Sequence, residues 1–298
     1  MSEHHHHEVS GKNLFITVLL NIIITLSQIV GGILSGSLAL LSDAMHNFSD
    51  VLALLIAWWA NRLSLKDATQ NRTFGYKRAE ILATLFNASV LIGIGIFLIV
   101  EAFHKFYHPE TVDSMYVIWL GILSIVLNTA SVLLVKDDAH ENMNIKAAYL
   151  HLLTDVMTSV AVVVGGLLMY YYSLYWIDPL ISLLIALYLI SASIALVKES
   201  ASILMQFTPT SVDLTKVITM IESLDSINNV HHLHLWQLND HRIHMEAHLD
   251  FQENLTLDNA SKIMDTLETR LHDEFEITHV TFQCEYGRDH SKIAIIQE

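Results

Sequence analysis

Six stretches of this chain are apolar over lengths that a water-soluble helix does not need. They fall near residues 14–34, 38–61, 79–101, 115–135, 146–172 and 177–197. About 20 helical residues cross a hydrocarbon core of about 30 Å. In lipid every backbone N–H and C=O must be bonded internally, so stretches like these are restricted to helices. Composition agrees, with 52% apolar and only 16% charged residues among 298, where a soluble domain carries about 25% charged. Three prolines in all suit long uninterrupted helices. The first stretch reads as a span and not as a cleaved signal peptide, because its apolar run is too long and lacks a small-residue cleavage site. The short links at 35–37 and 173–176 make tight hairpins of spans one and two and of spans five and six.

Lys and Arg mark the cytosolic side of a membrane protein. Lys12, Arg62, Lys66, Arg72, Lys77, Arg78, Lys136, Lys146 and Lys198 fall at the N-terminus, in the 2–3 loop, in the 4–5 loop or just after span six. Only Lys105 lies opposite. Both termini are therefore expected in the cytosol, and the lack of a targeting extension suits a bacterial inner (plasma) membrane. A net charge of −15 leaves no basic surface for nucleic acid. The single Cys284 excludes a disulfide framework and a cysteine-only zinc module.

After the last apolar run the chain turns polar and acidic, with 16 acidic and 6 basic side chains from residue 206 onward. Helix signals cover 212–224 and 256–272, the second opening on the cap Thr256. Val230, Leu233 and Leu235, then Ile243, Met245, Ala247 and Leu249, alternate as strands do, with Asn239-Asp240 as the turn between them. A last strand covers about 277–285. The expected architecture is a six-helix, all-α membrane domain (13–205) with a cytosolic α+β domain (206–298) in the order α-β-β-α-β, ferredoxin- or metallochaperone-like. Residues 1–12 read as a disordered cytosolic tail carrying His4–His7.

Charges inside a spanning helix mark ion or proton pathways. The second span carries His46 and Asp50, and the fifth carries His151 and Asp155. The i, i+4 spacing stacks each pair on one helix face. Two such faces together supply two imidazoles and two carboxylates, a tetrahedral donor set for Zn²⁺. The plainer reading is two separate buried hydrogen-bonded couples. The repetition of H-x-x-x-D at mid-span depth favours the metal.

At these residues the chain resembles the cation diffusion facilitator family of zinc transporters. The matching stretches are Leu41-Ser42-Asp43-Ala44-Met45-His46-Asn47-Phe48-Ser49-Asp50, Gly75-Tyr76-Lys77-Arg78-Ala79-Glu80 and His151-Leu152-Leu153-Thr154-Asp155. It is most similar to the branch with H-x-x-x-D on both helices. The resemblance implies a homodimer in the lipid bilayer that expels Zn²⁺ from the cytosol in exchange for protons by alternating access, with Cd²⁺ or Co²⁺ as further substrates. It also implies zinc in the tail domain, where the matching positions are His231, His248 and Glu285; a further histidine of some relatives is Ser261 here. Some relatives carry a metal site in the 2–3 loop, but Arg72 and Tyr76 stand where its histidines would be, so no metal is expected there.

The remaining polar residues divide less clearly. Strand alternation puts His232 and His234 on one face, opposite His231. His241, His244, His272, His279 and His290 read as surface residues, Cys284 as a soft ligand or a small buried residue, and His104, His108 and His140 as without a role. Asn21, Gln28, Asn47, Asn87, Asn128 and Thr154 read as interhelical hydrogen-bonders. Asp43 could guide ions or support a ligand histidine. Two rival functions are a membrane-embedded zinc metalloenzyme, which would need a spare mid-span Glu, and a zinc sensor with a membrane anchor, which leaves four ionisable groups in lipid unexplained. Glu80 and Glu101 lie at span ends.

Overall fold

The computed structural model describes residues 11–136, 143–239, 242–288 and 293–294. His4–His7, His140, Asp240, His241 and His290 lie outside them. Six long helices come first: α1 (Gly11–Ser35), α2 (Leu38–Ser64), α3 (Ala79–Tyr107), α4 (Ser114–Val135), α5 (Met143–Tyr172) and α6 (Ile177–Leu204). All six are long and apolar enough to span a membrane. Then follow α7 (Leu214–Glu222), β1 (Ile227–Asn239), β2 (Arg242–Phe251), α8 (Leu257–Phe275) and β3 (Ile277–Glu285). Helices α3 and α6 run past the apolar windows near 79–101 and 177–197, to Tyr107 and Leu204. The described residues form two compact units, one within Met1–Trp59 and Phe86–Val197, the other within Ala60–Leu85 and Lys198–Glu298.

In the helical unit, Asp178 in the first turn of α6 caps a different helix. Its carboxylate accepts from the Ser37 hydroxyl (2.5 Å) and from the backbone N–H groups of Leu38 (2.7 Å) and Ala39 (3.2 Å). These are the unpaired donors at the start of α2, where an anion is favoured by the helix dipole. The Ser42 and Ser182 hydroxyls share a further 2.5 Å bond between the same two helices. Helices α4 and α5 meet at small residues: a Cβ on Gly121 would sit 2.5 Å from a Val163 methyl, so only glycine permits this approach.

In the other unit, β1 and β2 form an antiparallel hairpin and β3 returns parallel to β2 after α8, giving the order β1-β2-β3. Asp213 caps α7 and Thr256 caps α8. The sheet and helices close over Val217, Ile221, Val230, Leu249, Leu267 and Leu271, each fully buried. The ladder of β1 and β2 slips at three places, and the middle one matters here: His231 pairs with His248 but His234 with Glu246, so three steps on β1 match two on β2. This is a β-bulge, and His232 inside it has φ +49°. In the 2–3 loop, Thr69 and Arg72 exchange backbone hydrogen bonds, and the Arg72 guanidinium lies over the Tyr76 ring at 4.7 Å. Gly75 there has φ +63° with Lys66 O pressing 3.2 Å from where a Cβ would stand.

Candidate metal centres

The one-turn spacing on α2 and α5 turns His46, Asp50, His151 and Asp155 toward one point. Each offers a ligand atom within 4.8 Å of all the others. His46 Nε2 is 3.3 Å from Asp155 Oδ1, His151 Nε2 is 3.2 Å from Asp50 Oδ2, and His46 Nδ1 is 3.7 Å from that same oxygen. Metal–ligand bonds of about 2.0–2.1 Å set tetrahedron edges of about 3.3 Å, so the 3.3 Å and 3.2 Å separations suit one ion, with His46 offering one of its two nitrogens. Both ring nitrogens of His46, both oxygens of Asp155 and Asp50 Oδ2 are buried without a hydrogen bond. Polar atoms in that condition are costly unless something else binds them. The side chains of His46 and Asp155 are 6% and 1% exposed, whereas Asp50 and His151 reach 21% and 42%. The set is thus accessible at its Asp50/His151 end.

One turn beyond the buried end lies a second polar layer. Asp43 accepts from Gln28 of α1 (2.5 Å) and from Thr158 (2.9 Å) and Ser159 (3.3 Å) of α5. Gln28 also donates to Ser124 of α4 and accepts from Asn47. Asp43 is therefore tied to neutral partners and is not one of the converging ligands. Gln28 and Asn47 hydrogen-bond between helices, as their chemistry in lipid predicts.

The tail sheet makes a second histidine–carboxylate group from His231, His248 and Glu285. His231 Nε2 lies 3.3 Å from Glu285 Oε2, and His248 Nδ1 lies 3.2 Å from Glu285 Oε1. Oε1 is already engaged: Gln283 donates to it at 2.6 Å and Arg288 at 3.0 Å. The alternation that set His232 apart from His231 fails here. The bulge carries both to the same region, and the His232 ring stacks on that of His248 at 4.7 Å. Three histidines within four residues were the only hint of it. Cys284 is exposed, with Sγ 3.6 Å from Met264 Sδ, so it is not the buried residue expected.

His244 also departs from expectation. It is 7% exposed, among the rings of Phe74, Trp236 and His279 at 5.8, 5.6 and 4.9 Å. Burial holds its pKa below the ordinary histidine value, helped by His279 and Arg242. His272 stays exposed beside Asp273, and His104 stacks on His108.

Two arrays of histidine and carboxylate, one on membrane-length helices and one on a small α+β sheet, define a metal-handling membrane protein. The model of the cation efflux transmembrane domain matches residues 14–205, and that of the cation efflux protein cytoplasmic domain matches 209–286. The chain belongs to the cation diffusion facilitator family. It is 35% identical over 287 residues to the cadmium, cobalt and zinc/H(+)-K(+) antiporter of Bacillus subtilis, covering 95% of this chain and 91% of that one. It is 32% identical over 288 residues to the metal cation efflux system protein CzcD of Cupriavidus metallidurans (96% and 90% covered). Over 267 residues it is 32% identical to the zinc transporter ZitB of Escherichia coli (89% and 84% covered). It is an integral membrane transporter of metal cations, and its family is one of transporters, not enzymes.

Proposed function

We propose that this chain exports Zn²⁺ from the cytosol in exchange for protons through His46, Asp50, His151 and Asp155. The observation that carries the reading is the convergence of four ligand atoms within 4.8 Å from two H-x-x-x-D pairs. Zn²⁺ binds such ligands only in their deprotonated forms, so metal and protons compete for the same atoms. A site exposed alternately to two sides then exchanges one for the other without a separate relay. Relatives named for zinc, cadmium and cobalt support these ions as substrates. Residues 13–205 form the transport domain, and 206–298 form a cytosolic domain that pairs two copies and binds Zn²⁺ at His231, His248 and Glu285. Both termini face the cytosol, in a bacterial inner membrane.

Purified protein in acid-loaded liposomes tests this. Protein inserted with its cytosolic side outward is expected to accumulate ⁶⁵Zn²⁺ while the pH difference lasts and to stop when it is collapsed. Uptake indifferent to the pH difference would remove the antiport, and uptake unchanged by Asp155→Ala would remove the site.

A further inference from the structure

Asp43 is a buried carboxylate that the transport site does not use. It is 1% exposed, and among the described residues its hydrogen bonds come from neutral groups: the Gln28 amide and the Thr158 and Ser159 hydroxyls. Ser124 and Ser159 share a 2.8 Å bond, and Gln28 reaches Ser124 and Asn47, so one cluster ties α1, α2, α4 and α5. For packing alone an uncharged residue would serve better, because a carboxylate leaves water at high cost without a cation.

Its position gives the reason. Asp43 precedes His46 by three residues and Asp50 by seven, while Thr158 and Ser159 follow Asp155 by three and four. They continue the two ligand faces, one turn toward the start of α2 and the end of α5. Exposure of the ligands falls in that direction, from His151 and Asp50 to His46 and Asp155. The site is thus reachable at one end, and the Asp43 cluster shuts the other. With both termini cytosolic, as proposed above, the shut end is the release side.

We propose that Asp43 is the latch on the release side of the transport site and the first oxygen ligand the departing metal meets. Three neutral donors hold the carboxylate while the ion sits among the four ligands. A divalent cation leaving His46 and Asp155 offers it full opposite charge. The cation displaces those donors, and the tie between α1, α2, α4 and α5 opens.

Full-length Cys284→Ser protein with Asp155→Cys as reporter tests the latch without needing transport. A membrane-impermeant charged maleimide is applied from the release side. Asp43→Ala is expected to speed labelling of position 155 about tenfold or more, within the usual range of a coupled equilibrium. Asp43→Asn keeps an acceptor oxygen and should fall between. Ala102→Cys in α3, fully buried, reports general loosening. Equal labelling at 155 with and without Asp43, or a matching rise at 102, would overturn the latch. In protein with Asp155 intact, Asp43→Ala is expected to let ⁶⁵Zn²⁺ run down its gradient without a pH difference; loss of transport with no such leak counts against the proposal. Failure of the transport-site reading is separable, because it would show as pH-driven uptake surviving Asp155→Ala.

Discussion

The helical unit and the tail unit both bring imidazole nitrogens within 3.2–3.7 Å of carboxylate oxygens, but on opposite kinds of backbone. The membrane set draws two residues from each of two helices joined at that level only through side chains. It has two carboxylates and, among the described residues, no Lys or Arg on either. The tail set is stitched into three hydrogen-bonded strands and has one carboxylate, already held by Gln283 and Arg288. Helices can shift as bodies, so four ligands divided between two of them can be gathered and parted. Ligands on one sheet cannot part without breaking the ladder. The first arrangement suits an ion that must leave, and the second suits an ion that stays and reports.

The contrast is broken most directly by deleting one carboxylate from each set. Asp155→Ala is expected to bring pH-driven ⁶⁵Zn²⁺ uptake to background, a larger loss than the roughly 10–100-fold that residues behind a metal ligand cost. Glu285→Ala should leave clear uptake but remove any Zn²⁺-strengthened self-association in sedimentation. Equal loss of uptake in both would erase the distinction.

A smaller effect is expected from His46→Asp. Zn²⁺ accepts two nitrogens and two oxygens in a tight tetrahedron, and a carboxylate can rotate or bind through both oxygens, which relaxes the cage for the larger Cd²⁺. Competition of Cd²⁺ with ⁶⁵Zn²⁺ uptake should strengthen. An unchanged ratio in an active variant would assign selectivity to helix packing. Smaller again is the change from Arg288→Gln, which removes a rival cation from Glu285. In protein whose transport site is disabled by Asp155→Ala, Co²⁺ should then bind the tail a few-fold more tightly, read from its absorption spectrum; weaker binding would show that Arg288 supports the site.

The smallest effect concerns acid. A histidine whose pKa falls on folding holds its proton better in the unfolded chain. His244 therefore costs the tail unit stability as pH drops through the unfolded value of about 6.5 toward its lower folded value. Thermal unfolding at pH 7.5 and 5.5 should show a larger acid-induced drop for the full-length protein than for His244→Phe. Equal drops would place the sensitivity elsewhere.

The spans and the H-x-x-x-D pairs were legible because both are local: an apolar window is summed along the chain, and i, i+4 spacing is a property of one helix. The order α-β-β-α-β was legible from alternation and from Thr256. What escaped depended on partners distant in sequence. Asp43 was visible, but its role needed Gln28 from α1 and Thr158 and Ser159 from α5. Asp178 went unread, because nothing along the chain links it to the start of α2, which it caps from 140 residues away. His232 was misplaced because alternation assumes an unbroken ladder, and one bulge residue cancels it. His244 looked like a surface residue because the rings that bury it come from β1, β3 and the 2–3 loop.

The cap that Asp178 supplies has a mechanical consequence. With its first turn fastened to α6 by three hydrogen bonds, α2 cannot slide along its own axis without dragging α6 with it. The fastened end can act as a fulcrum, and rocking becomes open to α2 once the ties of Asp43 and Asn47 to α1 and α5 are released. A small tilt about that point sweeps Asp50 through a longer arc than His46, and His46 through a longer arc than Asp43. The ligands would loosen in sequence, from the far end of the lever to the near one.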